Sequence, residues 1–226
     1  MVTPVLAHRV GVLSLQGDFA CHHAALAALG ATAVRVTLPP DLEGLDALVL
    51  PGGESTTMLR LLAATGLRAP LEAFVRERPV LGTCAGVILL GRGATGLPSP
   101  PLGVLDVGVE RNAYGRQIDS FHAPLDAPAV GGTFHGVFIR APRIRRVGPA
   151  VEVVAWRRDQ GAPAAGGSGE PVGVRAGRTV GLCFHPELTS DLRFHRWFLT
   201  EVAGLRLPAL EPARAVAAGA RHGSAA

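Results

Sequence analysis

Short apolar runs alternate with helix-like stretches along the chain as far as Gly91. The runs that begin at Arg9, Ala33 and Ala47 are almost continuously apolar and end at glycine or proline. Strands that are buried on both faces of a parallel sheet have this pattern. A fourth short run, "PVLG", leads toward "VILLG". Strands that alternate with helices at this spacing predict a parallel sheet that is covered by helices on both faces.

The stretches between these runs carry residues that begin and end helices. Asp18 precedes "FACHHAALAALG", so we predict that it caps a helix that ends at Gly30. A second helix is predicted from Ser55 to Gly66, with its serine and threonine residues at the start. The stretch "LEAFVRER" is predicted to form a third helix.

The pattern changes after about Gly91, where β-rich segments are separated by glycine and proline turns. We predict that these segments add mixed or antiparallel strands to the same sheet. A closing helix is predicted over residues 190–204, with Ser190 as its N-cap. Residues 1–208 are therefore expected to form one domain, and the low-complexity tail 209–226 is expected to be disordered.

Composition narrows the class of protein. Hydrophobic residues make up 48% of the 226 residues and charged residues 18%, which favours a sizeable core. No apolar stretch approaches the roughly 20 residues that span a bilayer, and the N-terminus lacks a signal-peptide pattern. Cys21, Cys84 and Cys183 form neither a metal-spaced pair nor a disulfide framework. We therefore expect a cytoplasmic protein that binds no metal, no cofactor and no membrane.

The basic residues exclude further classes. The formal net charge is +4, yet the chain contains no lysine and its arginines are scattered. No basic stripe is interleaved with aromatic residues, so we do not expect nucleic-acid binding. Without lysine, the chain can form no lysine Schiff base, and it has no P-loop of the usual kind.

One of the three cysteines stands between two glycines at a predicted strand-to-helix turn. Gly82, Cys84 and Gly86 form the pattern G-x-C-x-G, which is the nucleophile elbow with cysteine in place of serine. A helix that begins directly after Cys84 would stabilise negative charge on the sulfur and offer the N–H of Ala85 to an oxyanion. A buried structural cysteine has the same local pattern, so the motif alone leaves both interpretations open. For Cys183, which lies near the end of an apolar run, core packing is the favoured interpretation.

A thiolate nucleophile needs a base and a group that orients the base. Pro186 favours an extended conformation at His185, which places His185 and Glu187 on the same side of the segment. The two side chains could then bond, although a strand-end histidine beside a solvated glutamate is the alternative. The sequence "CHH" in the first helix is not expected to bind metal, because adjacent helical residues point apart. The other histidines, for which no comparable partner is expected, are His8, His22, His23, His122, His135, His195 and His222.

The stretch "LPGGES" joins a predicted strand to a helix through Gly52 and Gly53. Backbone N–H groups in such a turn can approach a substrate closely, so both glycines are candidates for the second half of an oxyanion hole. Many strand-to-helix turns look like this one. Together with Cys84 and the His185 segment, however, it favours cysteine catalysis, because sites in open parallel sheets lie at the carboxyl ends of strands.

These segments resemble one enzyme family. "PGGES", "GTCAG" and "HPE" are similar to the motifs of triad-type, or class I, glutamine amidotransferases. "GVLSLQGD", "LPGGESTTM", "VERNAYGRQIDSF" and "GVFIRAP" narrow the resemblance to the glutaminase subunits of pyridoxal 5′-phosphate synthase, with matching segments from Gly11 to Phe198. The resemblance implies a flavodoxin-like, three-layer α/β sandwich with a mostly parallel central sheet.

The resemblance also implies a reaction, the hydrolysis of L-glutamine to L-glutamate and ammonia. Cys84 would attack the side-chain amide and form a thioester. His185 would protonate the leaving ammonia and then activate water, and Glu187 would orient His185. The residues that the resemblance places around glutamine are Gly53, Glu54, Ser55, Arg111, Ile139 and Arg140. A separate synthase subunit in a large hetero-oligomer would receive the ammonia.

The sequence departs from this family at several positions outside the implied triad. Ala20 and Cys21 replace an expected charged pair, Tyr114 stands where phenylalanine is usual, and "APAAGGSGE" looks like an insertion. The contact with a partner subunit is therefore in doubt. Two other functions are compatible with the same motifs, namely a γ-glutamyl hydrolase or peptidase, and a non-enzymatic binding module with an idle cysteine.

Overall fold

The computed structural model describes residues 8–111, 113, 120–158 and 169–208. Its helices are α1 (Phe19–Ala28), α2 (Ser55–Ala64), α3 (Arg68–Glu77), α4 (Ala85–Leu90) and α5 (Arg193–Trp197). Its strands are β1 (Arg9–Leu13), β2 (Thr32–Val36), β3 (Ala47–Leu50), β4 (Val80–Thr83), β5 (Val107–Glu110), β6 (Ser120–Ala127), β7 (Gly132–Ile139), β8 (Arg143–Val147), β9 (Glu152–Arg157), β10 (Glu170–Ala176) and β11 (Thr179–Leu182). The tail predicted for 209–226 and most of the "APAAGGSGE" stretch lie outside the described residues.

A nine-stranded sheet forms the centre of the molecule, in the order β2-β1-β3-β4-β11-β10-β9-β6-β7. The first five strands of this order are parallel to their neighbours, and the remaining pairs are antiparallel. The predicted α/β class with a parallel sheet is therefore confirmed, as is the addition of antiparallel strands to that sheet. Two of the later strands, β5 and β8, instead pair with each other in a separate two-stranded sheet.

Three of the parallel strands form the centre of the core because they are apolar and buried on both faces, whereas β2 at the edge is mostly exposed or half-buried. All four residues of β3, of β4 and of β11 are buried. A second part of the core lies beneath α5, where Phe134, Phe184 and Phe194 stack edge to face or at a tilt, with ring centroids 4.8–5.7 Å apart. Cys183 is fully buried in the core, as predicted, and burial raises the pKa of its thiol.

Of the two predicted helix caps, Asp18 stands at the N-cap position of α1 without a capping bond, and Ser190 is wrong. Asp18 precedes α1, but its side chain makes no capping hydrogen bond, and its Oδ2 lies 4.0 Å from Nδ1 of His185 instead. Ser190 does not begin the last helix, which starts at Arg193. Asp191 takes the capping role there, because its Oδ1 accepts a hydrogen bond of 3.1 Å from the backbone N–H of Arg193. The helix then continues as a π-helical turn over Phe198–Val202.

None of the described helices is long and apolar enough to cross a membrane.

Candidate active site

The three segments that carry the predicted site residues leave adjacent parallel strands at the same edge of the sheet. The glycine turn follows β3, Cys84 follows β4, and His185 lies three residues after the end of β11. These strands are neighbours in the order β3-β4-β11, and all pairs are parallel. Their carboxyl ends therefore bring residues that are distant in sequence into one cleft.

Cys84 is held on a strained turn. Its φ of 48° and ψ of −104° lie in a region that residues with a side chain rarely adopt, which costs on the order of 1–3 kcal/mol. The flanking glycines make the turn possible. A Cβ on Gly86 would lie 2.2 Å from the carbonyl oxygen of Leu50, and a Cβ on Gly82 would lie 2.7 Å from the carbonyl carbon of Gly86. The sequence G-x-C-x-G is thus required by the contact between backbone segments.

His185 and Glu187 form a buried pair, with His185 Nδ1 2.7 Å from Glu187 Oε1. Only 3% of His185 and 7% of Glu187 are exposed. Burial by itself lowers the pKa of His185, but Cys84 and Glu187 outweigh burial and raise it to about 10. Burial alone would raise the pKa of Glu187, yet its histidine neighbours hold it well below the ordinary value of 4.5. An ionised carboxylate therefore faces an imidazole that holds its proton firmly.

The thiol and the imidazole are not joined by a hydrogen bond of good geometry. The Sγ of Cys84 donates a weak bond of 3.8 Å to the carbonyl oxygen of Ile139. Nε2 of His185 is buried and has no hydrogen-bond partner among the described residues. Cys84 nevertheless raises the pKa of His185, by hydrogen bonding first and by charge second, so the sulfur lies within reach of the ring. Both reactive atoms are thus free to meet a substrate.

The turn after β3 packs tightly against the catalytic histidine candidate. A Cβ on Gly52 would lie 2.3 Å from Cε1 of His185, so only glycine fits there. Gly53 has a φ of 154°, and a Cβ on it would lie 2.4 Å from Oε1 of Gln16. That same Oε1 accepts a hydrogen bond of 2.7 Å from the backbone N–H of Glu54. Gln16, which was not predicted as a site residue, therefore sets the position of the turn.

A cavity of about 290 Å³ opens between these segments. Most of the predicted site residues line it, namely Gly53, Glu54, Ser55, Cys84, Arg111, Ile139, Arg140 and His185. Gln16, Gly17, Asp18 and Ile88 line it as well and were missed. Gly52, Ala85 and Glu187 are not part of its lining: the glycine supports the His185 ring, Ala85 begins α4, and Glu187 bonds to Nδ1 of His185.

The two predicted glutamine-binding arginines differ in their contacts. Nη2 of Arg111 lies 3.2 Å from Oε1 of Glu54 and 3.1 Å from Oγ1 of Thr56. The Glu54 carboxylate also caps α2, because it accepts hydrogen bonds from the backbone N–H groups of Thr56 and Thr57. Arg140 is exposed and has the positive φ of 39°, and it makes no ion pair with any described residue. Of the two arginines that line the cavity, Arg140 is therefore the one whose charge has no partner in the described part of the chain.

No partner comparable to Glu187 was expected for His22 or His195, yet His22 contacts Glu187 itself and also His195. His22 is fully buried on α1, with its Nδ1 3.0 Å from Nε2 of His195 and its Nε2 3.2 Å from Oγ1 of Thr83. The same Nε2 lies 3.4 Å from Oε1 of Glu187. The local sequence held no signal for this cluster beyond the position of His22 among the buried residues of α1, Ala25 and Leu26.

One group of side chains in the described part of the chain has the geometry to hold a metal ion, namely Asp18, His185 and Glu187. A metal-binding histidine must be neutral and offer a lone pair. Nδ1 of His185 instead bonds to Glu187, and the pKa of His185 is raised to about 10. The donor set therefore favours a hydrogen-bonded catalytic pair over a metal site.

Known proteins are similar to this chain in sequence and in fold. A pyridoxal 5′-phosphate synthase subunit PdxT of Deinococcus radiodurans is 50% identical over 196 residues, which covers 84% of this chain and 95% of that protein. The subunit of the same name from Thermus thermophilus is 50% identical over 199 residues, covering 87% of this chain and 98% of that protein. A crystal structure described as a glutamine amidotransferase superposes with a TM-score of 0.77 at 47% identity, covering 87% of this chain and 99% of the other.

The family comparison covers almost the whole described fold. The match runs over residues 12–204, from β1 to the end of the last helix, and so includes the Cys84 elbow and the His185–Glu187 pair. The chain belongs to the SNO glutamine amidotransferase family.

Proposed function

We propose that this protein hydrolyses L-glutamine to L-glutamate and ammonia, with Cys84, His185 and Glu187 as its catalytic triad. The observation that carries the proposal is the buried His185–Glu187 pair, bonded at 2.7 Å, beside a cysteine in a strained left-handed turn. Family membership and the names of the relatives at 50% identity support the same reaction.

In the first half of the reaction, Cys84 gives its thiol proton to Nε2 of a neutral His185, and the resulting thiolate attacks the amide carbon of the glutamine side chain. The negative charge that develops on the amide oxygen is met by backbone N–H groups, for which Ala85 and the Gly52–Gly53 turn are the proposed donors. His185 then gives a proton to the departing nitrogen, which leaves as ammonia, and a thioester remains on Cys84.

In the second half, a water molecule replaces ammonia. His185, now neutral, takes a proton from the water, and the resulting hydroxide attacks the thioester carbon. Collapse of this intermediate breaks the carbon–sulfur bond, releases glutamate and restores Cys84. Glu187 keeps the proton of His185 Nδ1 in place during both halves, so that Nε2 is the nitrogen that exchanges protons.

The amino-acid portion of glutamine needs a cation for its α-carboxylate. Arg140 and Arg111 both line the cavity, and we propose that they hold this carboxylate, with Glu54 and Ser55 close to the ligand. Since Arg111 is already shared with Glu54, Arg140 supplies the larger part of the uncompensated charge. A cavity of about 290 Å³ suits one amino acid.

The relatives are named as subunits of pyridoxal 5′-phosphate synthase. We propose that this chain likewise passes its ammonia to a synthase subunit in a hetero-oligomer. The absence of lysine from the sequence fits this division, because a lysine Schiff base could form only on the partner.

The test measures ammonia release from glutamine with and without the synthase subunit. Wild-type protein should release ammonia in the presence of the partner, and Cys84→Ala should release none. Cys21→Ala is the matched control, since Cys21 lies outside the cavity and should keep its activity. Ammonia release by Cys84→Ala would refute the triad, whereas cleavage of γ-glutamyl peptides by the isolated wild type would favour a hydrolase of larger substrates.

A further inference from the structure

A chain of buried polar side chains continues from Glu187 into the interior, away from the cavity. It runs from Glu187 to His22 and from His22 to His195, with Thr83 beside His22. His22 and Thr83 are fully buried, and 1% of His195 is exposed. Burying four polar side chains together is costly unless each is paired, so their arrangement calls for a function.

The position of each proton follows from the contacts. Burial lowers the pKa of His195 to about 3, so this ring is neutral and carries one N–H. Its Nδ1 has no hydrogen-bond partner among the described residues, whereas its Nε2 lies 3.0 Å from Nδ1 of His22. A buried N–H without a partner costs more than a bare lone pair, so the proton sits on Nε2 of His195 and is donated to His22.

This assignment fixes the tautomer of His22. Because Nδ1 of His22 accepts the hydrogen bond from His195, the N–H of a neutral His22 ring must be on Nε2. That N–H faces two oxygens, Oγ1 of Thr83 at 3.2 Å and Oε1 of Glu187 at 3.4 Å. His185 approaches the same oxygen of Glu187 from the other side, at 2.7 Å.

The two oxygens that His22 faces belong to the two ends of the catalytic machinery. Thr83 is the last residue of β4 and directly precedes Cys84, and Glu187 orients the base His185. We propose that His22, held in one tautomer by His195, is a positioning residue that fixes Glu187 relative to the Cys84 elbow. This inference rests on the proposed glutaminase function.

The test uses two amides that copy one ring nitrogen each. In His22→Gln the side-chain nitrogen reaches about as far as Nε2 and can still donate to Thr83 and Glu187. In His22→Asn the nitrogen copies Nδ1 and cannot reach them. Both variants lose the aromatic ring, so a difference between them reports the donor and not the lost packing.

Glutamine turnover is measured with the synthase subunit present, together with the melting temperature of each variant. We expect His22→Asn to lower kcat by about 10–100-fold with little change in KM, as is typical when a side chain that orients a catalytic group is lost. His22→Gln should recover most of that loss. His23→Gln is the matched control and should turn over like the wild type, because His23 lies on the same helix but, among the described residues, its ring bonds only to Ser14, at 3.4 Å.

Equal kcat values for His22→Gln and His22→Asn, at equal folded fractions, would overturn the inference. If His22→Asn does not fold, His195→Leu takes its place in the test. His195→Leu removes the ring that fixes the His22 tautomer, so its kcat should be lower than that of His22→Gln. A wild-type protein that releases no ammonia with its partner would instead refute the proposed function. The alkylation rate of Cys84 by iodoacetamide then still compares the two His22 variants, and equal rates would overturn the inference in that case too.

Discussion

At the scale of single residues, the site depends on glycines that leave room for neighbouring backbone. Gly86 lies in α4 with its Cα facing the end of β3, where the carbonyl oxygen of Leu50 occupies the space that a Cβ would need. Neither backbone segment can move aside, because Leu50 is held in the sheet by β3 and Gly86 is held by the elbow that carries Cys84. A side chain at Gly86 must therefore displace the segment that carries Cys84.

Gly86→Ala should lower the free energy of unfolding by about 1–3 kcal/mol, because the new methyl group overlaps backbone that cannot move aside. Thermal unfolding and ammonia release measure the effect. We expect activity to fall further than the folded fraction does, since the elbow shifts. Gly131→Ala is the control. Gly131 has open space around it but a positive φ of 86°, so the substitution should lower stability without reducing glutamine turnover.

The His185–Glu187 pair should make stability depend on pH. The pKa of His185 rises from an ordinary 6.5 to about 10 on folding, so its contribution is complete below pH 6.5 and disappears as the pH rises toward 10. The pKa of Glu187 is depressed, so its contribution is present above pH 4.5 and is lost at lower pH. The pair therefore stabilises the fold most between pH 4.5 and 6.5.

The variant that tests this dependence is His185→Asn, which keeps an N–H near Nδ1 but cannot gain a proton. The melting temperature of wild type minus that of His185→Asn should be largest between pH 4.5 and 6.5 and should shrink toward pH 10. His122→Asn, at an exposed position of β6, should show no such trend. A difference that stays constant over this range would contradict the charged pair.

At the scale of elements, the apolar pattern and the turn residues of the sequence predicted correctly where helices and strands occur. They predicted less well which side chain caps the start of a helix. The apolar runs of β1, β3 and β4 were evident because burial on both faces needs continuous apolar sequence. The side-chain cap was mistaken at α1, where Asp18 stands at the N-cap position but makes no capping bond, and at α5, where Ser190 was expected. Asp18 lies near His185 instead, which is a contact beyond its helix, whereas Asp191 binds the N–H and the side chain of Arg193, the first residue of α5.

Glu54, which the family resemblance places beside the ligand, also stabilises the start of α2. Glu54→Ala removes the acceptor for two backbone N–H groups at the start of α2 and should destabilise the protein by about 1 kcal/mol. For a chain of this size, that corresponds to a fall of about 2–4 °C in the melting temperature. Glu43→Ala, at an exposed position, should change it by less than half as much. Equal shifts would argue against the cap.

At the scale of the whole molecule, one sheet joins the parallel part that carries the site to the antiparallel part. The link is the pairing of β11 with β10, and buried residues from both parts belong to one hydrophobic cluster. His185 itself is held across this boundary, because its backbone N–H donates a 2.8 Å bond to the carbonyl oxygen of Val137 in β7. We therefore expect the two parts to unfold together.

The two tryptophans allow a direct test of this cooperativity. Trp156 lies in β9 of the antiparallel part and Trp197 ends α5, while far-UV circular dichroism reports mainly the helices. Trp156→Phe and Trp197→Phe leave one fluorescent probe each. Because Trp197 also lies against the antiparallel part, through Phe194 and Arg175, the fluorescence midpoint of each variant in urea is compared with its own circular dichroism midpoint, and the two should coincide. Separate fluorescence and circular dichroism midpoints would divide residues 1–208 into two folding units.

The sequence by itself determined the α/β class, the Cys84 elbow, and the adjacency of His185 and Glu187. These properties depend on apolar periodicity, turn glycines and a spacing of two residues, all of which are local. Tertiary structure alone decided that His22 meets His195, 173 positions away, and that Arg111 is shared with Glu54 while Arg140 is left unpaired among the described residues. Such pairings are set by how strands and helices are arranged in space, and no local pattern encodes them.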